Sequence, residues 1–211
     1  MKSVTSIFLF IVFVCSNSYA QLSSDKIFES FKQGERTNCS SIAFIKASLN
    51  IYGLDNLFVT EKLSETEQKI TLKNNESFTL NNDEISKAKI SADFVCIKDN
   101  CENEKIIEYA ILTYAVMAKY KQIIDKEETF DKALEDLESG EVYTPTIYKY
   151  LGFQKGKQIE KLKREAGSEF CGVVAWSTAH AELVCEEYMD YYGNKKSIWI
   201  KYPGRFRIIK S

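Results

Sequence analysis

The run Ile42–Tyr52 carries apolar side chains at Ile42, Ile45, Leu49 and Tyr52, with Ala43 and Ala47 among them, a stripe at helical spacing. Small residues between large ones let neighbouring elements approach closely. A helix this apolar is central, and the rest of the chain has to be built around it. Gly53 marks its far end. At its near end stands Gln33-Gly34-Glu35-Arg36-Thr37-Asn38-Cys39-Ser40, where Asn38 or Thr37 is suited to cap the helix by accepting from its exposed N–H groups. Cys39 then falls in the first turn, where those N–H groups and the positive end of the macrodipole favour a thiolate. Gln33, six residues upstream, offers a side-chain NH₂ group beside that sulfur. A nucleophile with an oxyanion donor is the equipment of acyl transfer and lacks only a base. The chain has one histidine, His180. An imidazole that activates Cys39 from within the same chain can only be this one.

The first twenty residues read differently from the rest. Lys2, the apolar run Ile7–Val14 and Ser18-Tyr19-Ala20 have the pattern of a secretory signal peptide cleaved after Ala20. The apolar run is too short to span a bilayer, and Val14 is too bulky for a lipoprotein cleavage site before Cys15. The expected location is secreted or periplasmic, with no membrane attachment after cleavage. Cleavage takes Lys2 and leaves 27 basic against 30 acidic side chains, a net charge of −3. No basic block is present, which argues against nucleic acid as a partner. With 45% hydrophobic and 13% aromatic residues, the remaining chain can bury one sizeable core.

Five cysteines follow the signal peptide: Cys39, Cys96, Cys101, Cys171 and Cys185. In an exported chain they tend to pair, leaving one thiol over. Cys96 and Cys101 are near enough in sequence to close a small loop. Cys171 and Cys185 flank an apparent hairpin with its tip near Thr178, within disulfide reach across its two strands. Connectivity is not fixed by sequence, but this local pairing leaves Cys39 free.

In chain order, Leu22–Lys32 suggests a short helix, Lys69–Leu72 and Ser77–Leu80 a β-hairpin, and Asn81 or Asn82 the cap of a helix to about Ala92. Glu104–Ile124 is the longest helical pattern, with further helices at Glu128–Leu137 and Thr146–Leu151 and a solvated helix face at Lys155–Lys163. Strands are expected at Phe170–Trp176, Ala181–Glu187, Ser197–Lys201 and Phe206–Ile209, with turns at Tyr192–Lys195 and Pro203-Gly204. Trp176 and Trp199 read as packing residues, Trp176 also as a candidate cleft wall. The fold class is therefore α+β. The helical part, about residues 21–168, supplies the cysteine, and the antiparallel β part, about 169–211, supplies the histidine. A single domain over residues 21–211 would place chemistry in the cleft between them.

Gln33-Gly34, four further residues and Cys39 at the start of a long helix resemble the papain and calpain superfamily of cysteine peptidases. His180-Ala181 matches that family's His-Ala step, and Ile198-Trp199-Ile200-Lys201 resembles the strand leading to its third active-site residue. The resemblance implies a papain-like fold with Gln33 in the oxyanion hole, Cys39 as nucleophile and His180 as base. A peptide or protein substrate would be cleaved at a peptide or amide bond, with amide cleavage in cell-wall peptides a variant of the same chemistry. Two positions depart from the family pattern. The aromatic residue after the cysteine is Ser40, and the asparagine that orients the imidazole falls at Tyr202, whose hydroxyl would have to accept from the ring. Asp190 and Asn194 are alternative third residues, although a turn role suits both. Loss of the orienting group would lower activity without removing the nucleophile–base pair. The corresponding alternative is a catalytically impaired fold that serves as an exported binding module. No metal-ligand cluster and no phosphate-binding glycine loop appears in the sequence, so no cofactor is expected.

Overall fold

The computed structural model describes residues 22–98, 101–158, 171–198 and 202–210. The expected signal peptide, Trp199 and the second half of Lys155–Lys163 lie outside the described residues. The chain folds as α+β, with helices dominating its first part and an antiparallel sheet closing it.

Helix α1 (Ser24–Phe28) leads through strand β1 (Phe31–Gln33) to helix α2 (Cys39–Tyr52). As its composition requires, α2 is central: Phe44, Ile45, Ala47 and Leu49 are fully buried. Strands β2 (Val59–Lys62), β3 (Glu67–Thr71) and β4 (Ser77–Asn81) form a three-stranded antiparallel sheet. The expected hairpin is β3 and β4, paired through Ile70↔Phe78. Exposed β2, all four of whose residues face solvent, carries no apolar alternation and was not foreseen. Helix α3 (Asn82–Ala92) starts on a capping box, in which Asn81 accepts from the Glu84 N–H and the Glu84 carboxylate accepts from the Asn81 N–H. Strand β5 (Phe94–Cys96) pairs with β1. Long helix α4 (Cys101–Asp125) and helix α5 (Phe130–Glu138) follow, and then a 3₁₀ helix over Thr144–Leu151 in place of the expected α-helical turn.

The second part is a six-stranded antiparallel sheet. Its strands are β6 (Lys157–Gln158), β7 (Val173–Trp176), β8 (Ala181–Cys185), β9 (Tyr188–Tyr191), β10 (Asn194–Ser197) and β11 (Gly204–Arg207), in the order β10-β9-β8-β7-β11-β6. Two expectations need correction here. Lys157 and Gln158 are strand rather than helix, held by β11. The turn expected at Tyr192–Lys195 is confined to Tyr192 and Gly193, so a strand already begins at Asn194 and runs to Ser197, while most of the strand expected at Ser197–Lys201 lies outside the described residues. Both turn residues have positive φ, +50° and +80°, the backbone of a tight two-residue hairpin whose twist matches that of its strands. The chain also turns at Glu186 (φ +57°), which ends β8 two residues sooner than its apolar run suggests.

Strand β8 is buried along its whole length, and its two faces meet different cores. Ala181, Leu183 and Cys185 join the main core around α2, while Val184 packs with Val173, Ala175, Met189 and Tyr202 on the other side. Alternation along a strand explains the division. The Cys171–Cys185 disulfide is formed and ties the end of β8 to the segment before β7. Cys96 carries a free thiol that meets the Lys98 carbonyl at 3.1 Å, so the small-loop bridge to Cys101 is not made. Among the described residues no helix is long and apolar enough to cross a membrane.

Candidate active site

Gln33 is the last residue of β1, paired with Phe94, and the loop after it is anchored at two places. The Glu35 N–H donates to the Asp93 carboxylate at 2.6 Å. Gly34 passes so near that a Cβ there would lie 2.5 Å from the Asp93 carbonyl oxygen, which is why this position excludes a side chain. Further along, the Thr37 N–H and hydroxyl both donate to the Glu138 carbonyl, at 3.0 and 2.9 Å. The Gln33 amide donates one N–H to the Arg36 carbonyl. An amide nitrogen carries two, so one remains for the cavity it lines.

Asn38 occupies the N-cap position of α2 but does not cap it: its side chain accepts from no first-turn N–H, and its Nδ2 instead donates to the Ala92 carbonyl at 2.7 Å. This corrects the capping expected of Asn38, and Thr37 is committed to Glu138. Its physical consequence favours the site. With no side-chain cap and no acidic residue in the first turn, the positive end of α2 is left uncompensated beside Cys39. The Cys39 thiol is free and half-buried at that end. Ser40 shares a 2.6 Å hydroxyl–hydroxyl contact with Thr144 on the 3₁₀ helix.

His180 arrives at the same place from the sheet. Its loop is a compact turn in which the Ser177 hydroxyl accepts from the Ala179 and His180 N–H groups, both at 3.2 Å, and the Ser177 N–H donates to the His180 carbonyl at 2.8 Å. A cavity of about 600 Å³ is lined by Gln33, Cys39, Ser40, Trp176, His180 and Tyr192, among others. A second, of about 20 Å³ and room for about one water, lies against Gln33, Cys39, His180, Glu182, Asp190 and Tyr192. The glutamine, the free sulfur and the lone imidazole therefore share both walls. Trp176 lines the larger cavity and also packs on Phe206, with ring centroids 5.8 Å apart.

Comparison with protein-family models, with curated proteins and with solved structures finds no match. The chemistry of the site has to be argued from its own residues.

Tyr202 does not stand where the sequence put it. Its hydroxyl donates to Glu182 Oε2 and lies 3.3 Å from the Met189 sulfur, one group removed from the imidazole. The group beside the ring is Glu182, with Oε1 3.5 Å from His180 Nε2. The ring also stacks on Tyr192, with centroids 4.3 Å apart and planes 14° from parallel. Asp190 and Asn194 take the turn roles considered for them. Asp190 Oδ1 accepts from the Gly193 N–H at 2.9 Å, and Asn194 Nδ2 donates to the Tyr191 and Tyr192 carbonyls at 3.3 and 3.4 Å. The other oxygen of Asp190 pairs with fully buried Lys46 of α2 at 2.6 Å.

Burial dominates the electrostatics of this wall. It pushes His180 below its ordinary value, against the pull of the Asp190 carboxylate. It pushes Glu182 up to about 7, opposed by the Tyr202 hydroxyl and reinforced by Asp190. It lowers Lys46, opposed by its pairing with Asp190. The sequence reading missed Glu182, Lys46 and Tyr192. Glu182 alone left a usable signal: it is a carboxylate two residues after the lone histidine, at the start of β8. Among the described residues, one grouping of sulfur and carboxylate ligands lies close enough for a metal, Cys171, Cys185 and Glu186, and the disulfide commits both its sulfurs.

Proposed function

We propose that the chain is an exported, papain-like cysteine hydrolase that cleaves peptide or amide bonds through Cys39 and His180. The observation that carries this reading is the convergence of Gln33, the free Cys39 thiol and the only histidine on one cavity. His180 takes the thiol proton, and the thiolate adds to the carbonyl carbon. The Gln33 side chain and the Cys39 backbone N–H hold the oxygen as it becomes negative. Collapse breaks the C–N bond, the amine leaves with the proton held by His180, and a thioester remains on Cys39. Water, deprotonated by the same imidazole, then releases the acid and restores the thiol.

The test needs no knowledge of the substrate. At pH 7, iodoacetamide should alkylate Cys39 at least tenfold faster in the native protein than in His180→Ala, with Cys96 as internal reference. A peptide-library digest should then report turnover that Cys39→Ser abolishes. Equal alkylation of Cys39 in both proteins rejects the pairing. A second reading, an impaired fold that acts as an exported binding module, draws on the engagement of Tyr202 with Glu182 in place of the family's asparagine–imidazole contact. Activated Cys39 with no turnover on any peptide library would favour it.

A further inference from the structure

We infer that Glu182 is the positioning residue for His180, and that Tyr202 serves as its brace rather than as the ring's own partner. This rests on the reading of Cys39 and His180 as a nucleophile–base pair. Glu182 stands two residues after His180, at the start of β8, and reaches back to the ring. It is 2% exposed. One of its oxygens receives the Tyr202 hydroxyl. The other, Oε1, is buried with no conventional hydrogen-bond partner and lies 3.5 Å from His180 Nε2. A buried acceptor left unmatched is costly, so a proton on Nε2 is the natural complement to this oxygen.

The consequence for the ring is specific. A neutral imidazole has one N–H and one bare nitrogen. If Glu182 holds the N–H on Nε2, then Nδ1 is the bare nitrogen, the one able to take a proton from a thiol. Stacking on Tyr192 fixes the ring plane, and the carboxylate selects the tautomer within it. Tyr192 can be held there because its turn, with Tyr192 and Gly193 both at positive φ, is wedged against β1 and its neighbourhood: a Cβ on Gly193 would lie 2.6 Å from Ile97 and 2.8 Å from the Lys32 Cβ. Asp190 on β9 also acts on the ring electrostatically, but its oxygens are committed to Lys46 on α2 and to the Gly193 N–H. Among the described residues the remaining ionisable neighbours are Lys32 on β1, Cys39 at the head of α2, Tyr192 in the turn, and Tyr202 behind Glu182. Glu182 is the group with an oxygen to spare.

Because the chain has one histidine, nuclear magnetic resonance of ¹⁵N-labelled imidazole reports this site with no assignment problem. In the wild-type protein, above the titration of both the ring and Glu182, the shifts should show the Nε2–H tautomer. Glu182→Gln keeps a neutral acceptor oxygen and should keep that tautomer, while its imidazole pKa falls by at least half a unit. Glu182→Leu fills the same space without an acceptor. It should give mixed tautomers and slow Cys39 alkylation at pH 7 at least tenfold, whereas the glutamine variant stays within about threefold of wild type. Tyr202→Phe should shift the same signals partway. An Nδ1–H tautomer in the wild type, or a leucine variant with wild-type tautomer and alkylation, would overturn the assignment. The tautomer is read without reference to sulfur reactivity. A failure of the hydrolase reading, seen as indifference of Cys39 to His180→Ala, is therefore distinguishable from a failure here.

Discussion

The two walls of the cavity are built on opposite electrostatic principles. The helical wall offers Cys39 at an uncapped helix start, with backbone N–H groups and an NH₂ from Gln33, and no charged side chain in the first turn of α2. The sheet wall buries Glu182 and Asp190 behind His180, and Asp190 reaches across to Lys46 of α2; none of the three is more than 6% exposed. One wall stabilises negative charge with dipoles that cost nothing to keep dry. The other holds full charges that are tolerable only in pairs. The difference teaches where each wall should fail: the helical wall under chemistry, the sheet wall under changes of charge and pH.

The largest expected effect is on the helical side. Cys39→Ser should abolish turnover, by more than about a thousandfold, and leave the unfolding midpoint nearly unchanged, since the side chain is half-buried and smaller by little. Loss of fold in that variant would show that the sulfur is part of the core and not poised at the cavity. On the sheet side the corresponding stroke is Asp190→Asn. It leaves Lys46 buried with no carboxylate, which typically costs about 3–5 kcal/mol. Burial already lowers Lys46, so an unpaired Lys46 sheds its proton more readily still. The folded state then binds fewer protons than the unfolded one, and the penalty should shrink as pH rises from 6 to 9. Chemical denaturation at both pH values measures it. A penalty independent of pH would mean that Lys46 is not the group being stranded.

Glu182 and His180 pull stability in opposite directions, which allows them to be separated. The Glu182 carboxyl is held up to about 7 from an unfolded value of 4.5, so the folded protein binds more protons than the unfolded chain across that window. Its contribution is complete below pH 4.5 and is lost as pH rises towards 7, on the order of 3 kcal/mol in all. His180 is held below its unfolded value of 6.5, and its contribution is lost as pH falls through the folded value. Glu182→Gln should therefore remove the decline and leave stability rising with pH towards 6.5. Melting temperatures across pH 4.5–7 read the slope directly, and an unchanged slope would relocate the proton to another group.

How much of this was legible beforehand follows the same division. The helical wall could be read because its signals are local: an apolar helical stripe, a cysteine at its mouth and a glutamine six residues back. Cysteine parity was right about Cys171–Cys185 but did not single out Cys39, because Cys96 is free as well. The sheet wall could be read only as far as the hairpin around His180. Its third partner depended on which face of β8 is covered, and nothing local announces that Tyr202 returns to lie over Glu182. Lys46 was hidden for a similar reason. A lysine in an amphipathic helix ordinarily reaches water, and only the return of β9 brings Asp190 to it, 144 residues later. Asn38 misled in the opposite sense, because a good capping residue was drawn off by the Ala92 carbonyl.

The smallest effect probes how the helical wall itself is held. Ser40, where the resembled family has an aromatic residue, reaches from α2 to the Thr144 hydroxyl on the 3₁₀ helix, and both residues are less than 10% exposed. Ser40→Ala leaves the Thr144 hydroxyl without this partner and should cost about 1 kcal/mol, read as a lower urea midpoint at constant slope. Thr144→Val should cost a similar amount alone and little more in combination, because the two substitutions remove one interaction. If this contact fixes the angle at which α2 presents Cys39, the same cycle measured by alkylation rate will show coupling of matching sign. Strict additivity in the rate, alongside coupling in stability, would mean that the bond holds the cavity rim together without steering the sulfur.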